Sequence, residues 1–136
     1  MAAMQDRHLF DEALALMRSN LSEPLQTGEL AAYLDISVKK LERIFCRRRG
    51  VLPARFYREL RLQQARKLLF ESSLSIDAIG QQCGFRSASH FSRCFKEYCG
   101  RSPREERTLG ERETVTADRF RLKASASEFF RVESSL

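Results

Sequence analysis

The stretch "SVKKLERIFCRRRGVLP", Ser37 to Pro53, decides the fold, because "SASHFSRCFKEYCGRSP", Ser87 to Pro103, repeats it later in the chain. Ser37/Ser87, Leu41/Phe91, Arg43/Arg93, Phe45/Phe95, Gly50/Gly100 and Pro53/Pro103 all share an offset of 50. Upstream the offset is 49, in Leu25/Leu74, Leu30/Ile79 and Leu34/Cys83, so one extra residue sits in the second turn. Within each copy a serine precedes apolar residues at helical spacing, and a glycine and then a proline follow them. That is the punctuation of a capped helix with a left-handed stop. A short helix, a tight turn and a longer helix, written twice, is the helix-turn-helix pattern.

Working outward, helical periodicity continues in both directions. Leu9, Phe10, Ala13, Leu14 and Met17 mark one face of a first helix, broken at Ser22-Glu23-Pro24. Thr27 is the expected N-cap of a short second helix carrying Leu30, Ala31 and Leu34. Asp35-Ile36 turns, and Ser37 caps a third helix with Val38, Leu41, Ile44 and Phe45 on its apolar face. A long fourth helix is predicted from about Pro53 to Glu71, with Phe56, Leu60, Leu62, Ala65, Leu68 and Leu69 as its stripe. Ser75 caps a fifth helix with Ile76, Ile79 and Cys83. Gly84-Phe85-Arg86 turns, and Ser87 caps a sixth with Ala88, Phe91, Cys94, Phe95 and Tyr98. Pro103 opens a short last helix, and the tail from about Thr108 shows only weak alternation of Val115, Phe120 and Leu122. The expected architecture is all-α, with about seven helices and two helix-turn-helix units joined by a long linker helix. Residues 1–21 form an N-terminal helix, 22–52 the first unit and 53–72 the linker. Residues 73–107 form the second unit with its closing helix, and 108–136 a tail.

A chain of 136 residues with 43% hydrophobic content is one globular domain, with or without tails. No apolar run approaches the ~20 residues of a membrane span, and the acidic, amphipathic start is unlike a secretory signal. A soluble cytoplasmic protein is the expectation. Cys46, Cys83, Cys94 and Cys99 contain no C-x-x-C pair, so a disulfide framework is not expected. The net charge of +6 is unevenly spread. Residues 1–36 carry 2 cations against 6 anions, whereas residues 37–67 carry 11 cations against 2 anions. Such a patch repels itself unless a polyanion meets it.

Each longer helix has a polar face opposite its core face. In the first copy that face carries Lys39, Lys40, Glu42, Arg43 and Arg47; in the second, Ser89, His90, Ser92, Arg93 and Lys96. A helix N-terminus offers free N–H groups to phosphate. Cations and small polar groups just beyond it suit base edges in the major groove. A linker of about 18 residues at ~1.5 Å each spans ~27 Å. With its flanking turns, that separates the two helices by about one duplex turn, ~34 Å. One chain could then do what a helix-turn-helix dimer does, on a site that need not be palindromic.

Leu41, Arg43, Phe45, Gly50 and Pro53, together with "RLQQARKLL" (Arg61–Leu69) and "CGFRSASHFSRCFKEYCGRSPREER" (Cys83–Arg107), resemble the AraC/XylS transcriptional regulators. The resemblance covers roughly residues 8–107. The wording of "LERIF" and "FYRELRLQQARKLL" is most similar to members with an N-terminal domain of the DJ-1/amidase-like class. The resemblance implies a seven-helix DNA-binding domain and control of transcription, usually activation. It also implies an effector-sensing or dimerising domain upstream, RNA polymerase as a partner and no cofactor.

By that resemblance, base-reading positions fall on Lys39, Glu42 and Arg43, and on Ala88, Ser89, His90, Ser92 and Arg93. Arg43 and Arg93 are the foremost candidates, by bidentate contact to guanine or a clamp on phosphate. Glu42 either accepts from a cytosine amino group or orients Arg43. Ala88 can only touch a thymine methyl or fit closely. Ser37 and Ser87 are caps whose hydroxyls can also reach phosphate. Lys40, Arg47, Arg61, Lys67, Lys96, Arg101 and Arg104 are further candidates for contact with DNA. Phe85, Phe91 and Phe95 are expected in the core. Two other readings remain open at this level. One is a protein-interaction module docking RNA polymerase or another partner. The other is a thiol- or metal-responsive sensor built on Cys94 and Cys99. Against metal, zinc sites call for close paired ligands. Against catalysis, no base, oxyanion hole and pocket come together.

Overall fold

The computed structural model describes the backbone of residues 2–120 and the side chains of residues 4–111. Among these residues there are seven helices and no strand: α1 (Ala2–Ser19), α2 (Thr27–Tyr33), α3 (Val38–Arg49), α4 (Pro53–Glu71), α5 (Ile76–Gln82), α6 (Ala88–Cys99) and α7 (Pro103–Phe120).

The repeat is structural as well as textual. Helices α2 and α5 have 7 residues each, and α3 and α6 have 12 each. The hydroxyls of Ser37, Ser75 and Ser87 accept from the amides of Lys40, Ala78 and His90, each at 3.1 Å. Each bond satisfies a backbone donor that the first helical turn leaves free. Gly50 (φ 71°) and Gly100 (φ 85°) close α3 and α6 in the left-handed region. Pro53 and Pro103 then open α4 and α7, where a missing N–H costs nothing.

The apolar residues form two cores rather than one. Phe10, Ala13 and Met17 of α1 meet Leu30, Ala31 and Leu34, then Leu41, Ile44 and Phe45, then Phe56, Tyr57 and Leu60. The second core joins Leu62, Ala65 and Leu69 to Ile79, Cys83, Phe85, Phe91, Cys94 and Phe95. Thus α4 gives its first half to one core and its second half to the other. Leu60 of the first core and Leu62 of the second are two residues apart on α4, so both helix-turn-helix units are seated on one continuous helix.

The second turn fixes how the second unit meets the first. Asp35 (φ 56°) and Gly84 (φ 85°) occupy equivalent left-handed positions in the two turns. Aspartate tolerates that region; in the second copy only glycine fits. A Cβ on Gly84 would lie 2.6 Å from the Leu21 carbonyl oxygen and 2.7 Å from Pro24 Cγ. The α5–α6 turn is therefore pressed against the α1–α2 connection. Tyr57 ties the same connection to α4: its hydroxyl donates to the Asn20 carbonyl and accepts from the Leu25 amide.

Three expectations need correction. The N-cap of α2 is Gln26, not Thr27, and the Glu29 carboxylate accepts from its amide at 2.9 Å. Val38 is not in the core but exposed, at the first residue of α3, and the core begins one turn on at Leu41. The closing helix is not short: α7 runs 18 residues, well past Arg107. It starts on a reciprocal pair in which Ser102 Oγ accepts from the Glu105 amide and Glu105 accepts from the Ser102 amide. Hydrogen bonds from the Ser102 amide, and then from its side chain, hold the Glu105 carboxyl below its ordinary value. The backbone at Val115 and Phe120 is helical rather than extended; Leu122 lies outside the described residues.

Candidate nucleic-acid interface

Leu41, Ile44 and Phe45 anchor α3, and Phe91, Cys94 and Phe95 anchor α6. With three residues of each helix pinned inward, the opposite face is forced outward. On α3 that leaves Lys39, Arg43 and Arg47 exposed and Lys40 and Glu42 half-buried; Ser37 at the cap is also exposed. On α6, Ala88, Ser89, His90, Arg93 and Lys96 are exposed, with the cap Ser87, and Ser92 is half-buried. So thirteen of the sequence candidates gather on two equivalent helix faces.

The electrostatics of α3 are sorted by position. Arg48 and Arg49 sit at its end, and their guanidiniums lie over the Phe10 ring at 5.5 and 5.2 Å. Arg49 also lies 5.0 Å from the Phe56 ring. These two cations turn back over the first core. Arg47 comes within 4.0 Å of Asp6 on α1, but its side chain stays 69% exposed, and such long surface pairs hold little. Lys39 and Arg43 are exposed and make no ion pair or side-chain hydrogen bond among the described residues. Together with the largely exposed Arg47, they are the cations on the outward face of α3.

Arg61 and Arg101 are placed differently. Arg61 is half-buried; its Nη1 donates to the Gly84 carbonyl at 3.0 Å, and its guanidinium lies 4.6 Å from the Phe85 ring. Burial lowers its pKa from the ordinary arginine value. Arg101 donates to Glu106 at 2.9 Å while keeping about half of its side chain exposed. Lys67 and Arg104 are exposed, as a solvated or phosphate-facing cation would be.

Two features escaped sequence reading. One is Val38, an exposed apolar side chain at the first position of α3, where α6 has Ala88. The constant offset of 50 from Ser37/Ser87 onward was the signal that aligned them. The other is the buried pair of Arg66 with Glu106 at 2.9 Å, which joins α4 to α7. Its partners lie 40 residues apart, and nothing local announces it.

The thiols bear on the sensor reading. Burial pushes Cys83 and Cys99 up to about 12, so both are protonated at neutral pH and poorly nucleophilic. Cys94 is buried, while Cys46 is exposed. Iodoacetamide at neutral pH is expected to label Cys46 first and to leave Cys83 untouched in the folded chain, as read by peptide mass spectrometry. Labelling of Cys94 or Cys99 as fast as Cys46 would revive the sensor reading. Among the described residues, no group of three His, Cys, Asp or Glu is arranged to hold a metal ion. None of the described helices is long and apolar enough to cross a membrane.

Comparison with known proteins agrees with this geometry. The family described as "helix-turn-helix domain" matches residues 30–108. A transcriptional regulator of Chromobacterium violaceum, described as AraC-type, has a crystal structure that superposes with a TM-score of 0.75. It is 42% identical, over 81% of this chain and 96% of that one. The DNA-binding domain of AdpA, solved in complex with a target DNA, is 30% identical over 73% of this chain and 89% of that one, with a TM-score of 0.69. The regulator GbdR of Pseudomonas aeruginosa is 47% identical over 96 residues, which are 71% of this chain and 26% of that protein. The chain thus spans about a quarter of the length of that curated relative.

Proposed function

Because the chain belongs to the AraC-type family of helix-turn-helix DNA-binding domains, we propose that it reads duplex DNA with α3 and α6 in successive major-groove segments. The observation that carries this reading is the repetition of one outward face, on two serine-capped helices, seated on a single rod. Arg43 and Arg93 hold the same position in the two copies and make bidentate contacts to guanine. Lys39, Lys40, Arg47 and Lys96 neutralise phosphates, and the N-termini at Ser37 and Ser87 add backbone donors. Ser89, His90 and Ser92 offer short polar contacts, Ala88 meets a thymine methyl, and Glu42 accepts from cytosine or steers Arg43. Arg61 and Arg101 hold the architecture; their bonds to Gly84 and Glu106 support that role over one on DNA. Lys67 and Arg104 remain phosphate contacts.

The family reading extends to the whole protein: a cytoplasmic transcriptional regulator, not an enzyme, that engages RNA polymerase. An effector or dimerisation domain of the DJ-1/amidase-like class would stand upstream, consistent with the small share of GbdR that this chain spans.

Selection from a random pool of about 30 base pairs, roughly three duplex turns, tests the reading. Two enriched blocks about ten base pairs apart are expected. Arg43→Ala and Arg93→Ala should each blur one block and cost about 1–3 kcal/mol of binding. Affinity should fall steeply with salt as phosphates recover their counterions. If both substitutions leave affinity and enrichment unchanged, the assignment of these helices to the groove is wrong, and the protein-interaction reading takes its place.

A further inference from the structure

We infer that Cys94 is a positioning residue for base recognition: its thiol holds the His90 imidazole so that one chosen ring nitrogen meets the DNA. This rests on the reading of α6 as a groove helix. His90 and Cys94 lie four residues apart on α6, the spacing that stacks two side chains on one helical face. His90 is exposed, at the edge between the polar face and the core face; Cys94 is buried, 6% exposed, in the second core. Cys94 Sγ lies 3.4 Å from His90 Nε2. The imidazole centroid also lies 5.8 Å from the ring of Phe85, which is itself buried against Phe91 at 5.2 Å. Two buried side chains therefore restrain a ring that an exposed histidine would otherwise rotate freely.

The chemistry sets which nitrogen is offered. A neutral imidazole has one donor and one acceptor nitrogen, and the partner of one decides the role of the other. In the inferred arrangement the buried S–H donates to Nε2, which leaves the ring proton on Nδ1. Nδ1–H is a donor, so it fits an acceptor edge in the major groove, N7 or O6 of guanine or O4 of thymine, and not the amino group of cytosine. The first copy has no such device: the equivalents by the offset of 50 are Lys40 and Ile44, a half-buried cation above an aliphatic side chain that offers it no hydrogen bond. The second unit thus gains an oriented imidazole where the first has a lysine.

The test uses the 136-residue chain. Nitrogen-15 shifts of the His90 ring in the wild type should show Nδ1 protonated and Nε2 as acceptor; the opposite tautomer would overturn the assignment without any mutation. In the duplex selection, His90→Ala should relax one base pair in the second block. Cys94→Ala should relax that same pair roughly three- to tenfold, the scale of one lost hydrogen bond. Cys94→Ser, which keeps a donor, should restore it. A relaxed pair with His90→Ala but none with Cys94→Ala would overturn the positioning role. Arg93→Ala separates the two levels of failure. If it blurs the second block while His90→Ala does not, only this inference falls; if neither substitution does, the reading of α6 as a groove helix falls with it.

Discussion

Glu106→Ala is expected to destabilise the domain by about 3–5 kcal/mol, the range for stripping one partner from a buried ion pair. Chemical denaturation followed by circular dichroism measures it. Glu106 is 4% exposed and Arg66 is 6% exposed, and they meet at 2.9 Å. The alanine would leave the Arg66 guanidinium in the interior facing a vacated carboxylate site. Arg101 reaches the other oxygen of Glu106 at 2.9 Å, so the carboxylate stands between two cations from opposite sides. The three residues stitch α4, the α6–α7 connection and α7 together. Arg107 reinforces the joint by donating to the carbonyls of Leu69 and Ser72 at the end of α4. Arg101→Ala is the contrast: that side chain is half exposed, so its loss should cost about 1 kcal/mol or less. Equal costs for the two substitutions would mean that burial is not what makes the pair matter.

Phe91→Ala should cost about as much, roughly 3–5 kcal/mol, through cavity formation. Phe91 is 0% exposed. Its ring packs on Phe85 and on Phe95, with centroids 5.2 and 5.8 Å away. Gly80 of α5 lies so close that a Cβ there would come within 2.8 Å of the ring. The contact between the two helices of the second unit is thus a glycine against an aromatic face. Removing the ring removes the seat of α6 while the first core, which contains no residue of α6, keeps its packing. The expected functional signature is loss of the second sequence block with the first retained. Arg93→Ala should lose the same block without the loss of stability, and comparing the two separates contact from support. Uniform loss of both blocks would show that the two cores fold as one unit through α4.

Several elements could be read from residue order because each is determined locally. The caps at Ser37, Ser75 and Ser87 and the stops at Gly50 and Gly100 depend on neighbours within four residues, and they stand where the spacing predicts. The apolar stripes of α3 and α6 follow from the helical period, and so does the outward face with Arg43 and Arg93. The errors also have local causes. Gln26 rather than Thr27 caps α2, in a reciprocal arrangement in which the Glu29 carboxylate reaches back to accept from the Gln26 amide. Val38 matched the apolar period, but as the first residue of α3 it stays exposed, and the core begins at Leu41.

The sequence by itself determined the number of helices, their order, their repetition and the side of each reading helix that faces outward. Those properties follow from backbone sterics, capping and a period of 3.6 residues. Only the tertiary structure decided the fate of individual cations. Arg43, Arg61 and Arg66 are chemically the same and all sit within helices. The first points to solvent, the second grips the Gly84 turn, and the third is buried on Glu106. The difference arises because α4 is packed along its length by two cores and by α7, whereas α3 is covered on one side only. Whether a cation meets solvent or a buried partner depends on which distant element covers its face, and those partners lie 23 and 40 residues away in the chain.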